Sequence, residues 1–328
     1  MKRNTIILTA AGVLLLFAGM ILSVHIGAKN IPVSEIYRAF FHYDDSLNAK
    51  LIREVRLPRM FLAILVGGML SLAGTMMQGI MRNPIAEPSV MGVTQGATLA
   101  VSIAAVSSLV SGVYGNFFMA LLGAAGSGML ILIFTMGKAS NQSISRILLA
   151  GTALSTFFLS LASVVALLGN RSQELAFWVA GGLRQAGWVQ VGIVAAAGGF
   201  FSILAFASAA KINIISLGDD AAAGLGISPE RVKLRIILYL VPICGVCVAA
   251  AGNIGYLGLF VPHIIRKLTG NDYRRLMPLS FLYGSTILLL ADIAARTISA
   301  PYELPVGLFT ACMGVPVFLM LVRKQFGK

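Results

Sequence analysis

Asp292 and Arg296 lie four residues apart in the apolar stretch LLLADIAARTIS, so on a helix they share a face and can pair. Charges inside long apolar runs mark either a closed structural pair or a functional contact. On the second reading Arg296 points outward to a partner and Asp292 orients it, with Glu303 of YELPVG at the same end. Arg53, Arg56 and Arg59 recur every third residue in IREVRLPRM, as interfacial anchors or as a basic patch for acidic residues of a partner. Glu87, between the prolines of NPIAEP, is expected near the inner face. Cys244 and Cys247 form a Cys-x-x-Cys, but inside the apolar run LYLVPICGVCVAAAG and without a second ligand pair. They read as small buried hydrophobes, not as a metal or redox site. The sequence has no G-x-x-x-x-G-K-[ST], no H-E-x-x-H and no G-x-S-x-G. No enzymatic role, cofactor or metal is therefore expected; if ATP drives this protein, another subunit binds it.

The elements that hold these residues are membrane spans. Of 328 residues, 58% are hydrophobic and 11% charged, where a soluble domain carries about a quarter charged. Mean hydropathy is +0.88. The net charge of +13 does not point to nucleic acid, because Lys and Arg gather in short loops and at span ends without interleaved aromatics. Apolar runs place about ten spans, near 5–26, 58–80, 92–111, 116–137, 147–168, 189–209, 232–252, a short one at 256–268, 277–299 and 304–322. The whole chain, 1–328, is one all-α transmembrane domain. MKRN before the first run reads as the cytoplasmic end of a retained span, and most Lys and Arg then fall inside, giving both termini in the cytoplasm. The stretches 72–84 and 250–262 each carry Ala-Gly followed ten residues later by Pro, which suggests an inverted repeat.

One cytoplasmic loop, about 212–230, is unlike the rest. In ISLGDDAAAGLGISPERVKLR (215–235), Ser216 or Asp219 can cap a short helix, and Asp219 and Asp220 suit its positive end. Ala221, Ala222 and Ala223 propagate it without bulk, Gly224 and Gly226 end it, and Pro229 opens the next helix. The loop is either a plain re-entry turn or a small-faced helix that enters a groove of another protein.

RLPR (56–59), GGMLSLAGTMMQGIMRNPIAEPSVMGVTQGA (67–97), RILLAGTAL (146–154), FWVAGGL (177–183), ISLGDDAAAGLGIS (215–228), GNIGYLGLFVPHIIRKLTGNDYRRLMPLS (252–280) and ADIAARTISAPYELPVGLFTACMGVPVFLMLV (291–322) occur in this order. The chain thereby resembles the permease subunits of type II ABC importers, the FecCD family that moves iron–siderophores, haem and cobalamin. Departures are small: Ile85 stands where the family often has Leu, and Tyr256-Leu257 where it often has Phe-Val. The resemblance implies a type II importer permease fold with ten spans, a second permease copy or paralogue, two cytoplasmic ATP-binding subunits and an extracytoplasmic substrate-binding protein, in the cytoplasmic membrane. It assigns ATPase coupling to Asp219, Asp220, Ala221, Ala222, Gly224 and Gly226. It assigns binding-protein docking to Arg56, Arg59 and Arg296, and an inner gate to Asn141, Gln142 and Ser143. Ferric siderophore is the first-choice cargo, with cobalamin or haem as the alternative within this class and an ATP-independent carrier outside it.

Overall fold

The computed structural model describes residues 2–27, 29–42, 44–88, 92–107, 113–136 and 144–326, and no strand occurs among them. Helix α1 (Lys2–His25) leads through α2 (Val33–Phe41) and α3 (Leu47–Lys50) into a π-helical stretch, Leu51–Arg56, continuous with α4 (Leu57–Met81). Then follow α5 (Val93–Ser107), α6 (Val113–Met136), α7 (Ile144–Leu168), α8 (Ser172–Ala180) and α9 (Trp188–Ile193), with a π-helical stretch, Val194–Gly198, before α10 (Gly199–Ala207). The chain closes with α11 (Ala209–Ser216), α12 (Asp219–Gly224), α13 (Pro229–Ala251), α14 (Leu257–Thr269), α15 (Tyr273–Thr297) and α16 (Val306–Phe326).

A helix occupies each of the expected spans. Among the described residues, six helices are long and apolar enough to cross a membrane, including the continuous Leu47–Met81. At 1.5 Å per residue, α14 with its 13 residues reaches only about 20 Å, short of the ~30 Å hydrocarbon layer.

Helix α4 is the axis of the bundle. Pro58 sits in its first turn, where its missing N–H costs nothing. Arg82, with φ 50°, stops it at the other end, where Asn83 and Pro84 follow. Leu62, Met69, Leu72, Met76 and Met77 on α4 are buried. Helix α15 runs antiparallel beside it: Arg59 meets Asp292, and at the opposite end Gly79 faces Tyr273. Backbones touch where the sequence removes side chains. A Cβ on Gly67 would lie 2.4 Å from the Gly284 carbonyl oxygen, and one on Gly74 only 1.9 Å from that of Gly258. In lipid, where no hydrophobic drive pulls helices together, such contacts supply the packing. Ser285 Oγ donates to the Ile64 carbonyl at 2.7 Å, and Gln78 Nε2 donates to Gly258 and Leu259 carbonyls, each at 3.1 Å.

Two expectations are corrected. The segment after Arg82 does not stay at the end of α4: Glu87 shares a small cavity with Leu70, midway along α4, and with Cys244, Val248 and Gly258. Its carboxylate accepts the backbone N–H of Tyr256, the residue that opens α14. The part of this segment that follows Arg82 thus re-enters the bundle, where Glu87 satisfies an amide at the start of α14 that the helix itself leaves unmet. The proposed repeat also fails at its own anchor. Gly74 lies inside α4, whereas Gly252, with φ 65°, terminates α13, so the two Ala-Gly pairs hold different backbone positions.

Candidate functional site

Charged side chains collect at two ends of α4. At the end that the sequence reading places outside, Arg59 Nε donates to Asp292 Oδ1 at 2.9 Å, and its Nη1 donates to both Glu303 oxygens at 2.9 and 3.0 Å. Arg296 Nε lies 3.1 Å from Asp292 Oδ2 but off the hydrogen-bonding direction, an ion pair without a hydrogen bond. Arg296 Nη2 donates to Ser23 Oγ at 3.0 Å. Arg56 donates to the backbone carbonyls of Val24, His25 and Lys29.

In the chain on its own, Arg56, Arg59 and Arg296, the residues expected to meet the binding protein, are engaged by these internal bonds. Their exposures are 4, 5 and 5%, and that of Asp292 is 0%. Removing these charges from water is expensive, so each guanidinium is taken up by an internal carboxylate or by carbonyls at the end of α1. Arg184 is the exposed member of the network: its Nε donates to Glu303 Oε2 at 3.3 Å, and its guanidinium carbon lies 4.9 Å from the centre of the Phe177 ring. The sequence placed Glu303 at this end but not its bridge between Arg59 and Arg184; partners 244 and 119 residues away leave no local signal. A cavity of about 470 Å³ opens beside the bridge, lined by Arg59, Arg184, Glu303, Trp178, Gln190 and Asn116, among others.

At the other end α12 forms as expected, with a different cap. Ser216 Oγ donates back to the Asn213 carbonyl at 2.7 Å, and Gly218, with φ 131°, is the N-cap residue. Asp219 is the first helical residue. Its Oδ2 accepts from Lys233 Nζ at 2.8 Å and lies 3.4 Å from Arg82 Nη2. The C-terminus closes by two crossed bonds, Ile227 N–H to the Ala222 carbonyl at 3.0 Å and Gly226 N–H to that of Ala223 at 2.9 Å. This closure needs a left-handed residue, and Gly226 supplies it at φ 74°. Asp220, Ala221, Gly224 and Gly226 are exposed, but Ala222 is buried on the side facing the bundle. Leu217 and Leu225 bracket the helix with exposures of 73 and 64%. Neither leucine stood out in the sequence, where a lone Leu in an apolar chain carries no signal.

Asn141, Gln142 and Ser143 lie outside the described residues. Cys244 and Cys247 are buried free thiols on α13.

The FecCD transport family matches residues 14–324. The chain belongs to this family. It is similar to the iron(3+)-hydroxamate import system permease protein FhuB of Bacillus subtilis, 39% identical over 98% of this chain and 84% of that protein. The Fe(3+)-citrate import system permease protein YfmD of the same organism is 34% identical over 93% of this chain and 91% of its own length. A solved structure described as an inward-facing, metal-chelate type ABC transporter superposes with a TM-score of 0.85 at 29% identity, covering 99% of this chain and 100% of the other. This FecCD member is an all-helical, multi-pass membrane protein.

Proposed function

We propose that this chain is the permease subunit of an ATP-driven importer that carries ferric siderophores, with hydroxamate chelates as first candidates, across the cytoplasmic membrane. The observation that carries this reading is the similarity to the Bacillus subtilis ferric hydroxamate permease along 98% of the chain. Energy arrives from separate ATP-binding subunits at α12. Asp220, Ala221, Gly224 and Gly226 present the small, exposed side of that helix, and Leu217 and Leu225 flank it. Large apolar side chains held out beside a short helix are anchors for a partner's groove.

A substrate-binding protein docks at the opposite end. Arg184 and Arg171, about half exposed, are the cations its carboxylates meet, while Arg56, Arg59 and Arg296 hold the frame beneath them. A second permease, identical or paralogous, completes the pathway, and Asn141, Gln142 and Ser143 contribute its inner gate.

Uptake of radiolabelled chelates in a strain lacking this chain tests the reading. Ferric hydroxamate uptake is expected to disappear and to return with the gene, with haem and cobalamin uptake unchanged. Normal hydroxamate uptake in that strain, with loss of citrate, haem or cobalamin uptake instead, contradicts the cargo.

A further inference from the structure

The Asp219 carboxylate joins three elements that are separate in sequence. It stands at the start of α12, Lys233 stands in the first turns of α13, and Arg82 is the residue that terminates α4. Both cations reach the same oxygen, Oδ2, Arg82 at 3.4 Å and Lys233 at 2.8 Å. Arg82 is held in the left-handed region at φ 50°, which turns its side chain over Gly218, whose absent Cβ would lie 3.6 Å from Arg82 Nη1. Arg82 and Asp219 are each 41% exposed and Lys233 20%, so the pairs add little to global stability. Two cations on one oxygen do fix direction: Asp219 ties α12 to the end of α4 through Arg82 and to α13 through Lys233, and Ala222 is fully buried.

The far end of this connection is equally specific. Helix α4 continues the helical run Leu47–Met81, is locked by backbone contact to α14 and α15, and carries Arg59 in its first turn, within the network that includes Asp292 and Glu303. A rigid, two-ended element of this kind transmits displacement as a body, because packed helices are not continuously deformable.

We propose that Arg82 and Lys233 are positioning residues for energy coupling. Acting through Asp219, they clamp α12 to α4 and α13, so that movement of α12 by the ATP-binding subunits drives α4 and the Arg59 end together. This rests on the reading of α12 as the ATPase-docking helix. It adds that neither cation needs to touch the ATPase, and that the charge pairing, not the exposed surface of α12, sets how much transport each ATP yields.

The test uses the complete importer in proteoliposomes and measures ferric chelate taken up per ATP hydrolysed. Replacing both cations by neutral residues, Arg82→Gln with Lys233→Gln, is expected to lower this ratio about tenfold. The charge-conserving pair, Arg82→Lys with Lys233→Arg, is expected to keep most of it. Amide hydrogen exchange over residues 219–224 is expected to quicken in the Gln pair only, a readout that does not depend on transport. A wild-type ratio in the Gln pair, equal loss in both pairs, or unchanged exchange in the Gln pair overturns the proposal. The docking reading fails separately: it falls if Gly224→Trp leaves co-purification of the ATP-binding subunits at the wild-type level.

Discussion

Asp292 is the residue on which the Arg59 end of the bundle depends. Fully buried, it faces two guanidinium groups, and Glu303 is the other carboxylate that compensates Arg59. Asp292→Asn preserves shape but leaves buried cations under-compensated, at a cost of about 3–5 kcal/mol. Its thermal midpoint in detergent should fall well below that of Arg184→Gln, which removes only the exposed partner. Asp272 behaves differently because it lies outside the spans. A hydrogen bond from Asn213 Nδ2, 2.8 Å long, holds its carboxyl below the ordinary value of 3.8, and the same carboxylate caps α15 by accepting the Arg274 amide at 3.1 Å. Since folding lowers this pKa, the ionised group stabilises the junction of α11 and α15 above its unfolded value, and that contribution is lost as pH falls through the folded one. Asp272→Asn should therefore be less stable than wild type at pH 7, with the difference closing below about pH 4.

At the scale of elements, glycine decides which helices touch. A methyl on Gly74 would strike the Gly258 backbone, which cannot rotate away, whereas a Cβ on Gly126 or Gly192 has no atom within 4 Å. Gly74→Ala should lower the monodisperse, detergent-extracted yield sharply, and Gly126→Ala and Gly192→Ala should not; size-exclusion profiles of the three variants decide it. The element α12 was legible in the sequence, because Asp-Asp-Ala-Ala-Ala-Gly states its start, body and stop in one place. The re-entrant segment around Glu87 was not. Its prolines and polar residues resemble an ordinary surface turn, and only the unmet amides at the start of α14 explain why it folds back inside. The arginines were half legible. Spacing found Arg56, Arg59 and Arg296, but the burial of Arg59 depends on Asp292 and Glu303, 233 and 244 positions away, and that of Arg56 on carbonyls at and just past the end of α1, 27 to 32 positions away. The Asp292–Arg296 pair was the exception, visible because its partners are one helical turn apart.

For the molecule as a whole, hydropathy and charge were enough to see a multi-span helical protein, and the ordered motifs were enough to see the FecCD family. What no single stretch could reveal is that α4 ties the two ends together, with Arg59 at one and Arg82 at the other. On the proposed function, this chain moves a ferric chelate only when force from ATP-binding subunits reaches α12. The most direct measurement is accumulation of ferric hydroxamate in proteoliposomes holding this chain, its partner permease, the ATP-binding subunits and the substrate-binding protein. Accumulation against a gradient is expected with ATP, and none with ATP withheld or with Leu217 and Leu225 both replaced by Asp. Accumulation of the chelate by the permease alone, without ATP or the ATP-binding subunits, would contradict that function.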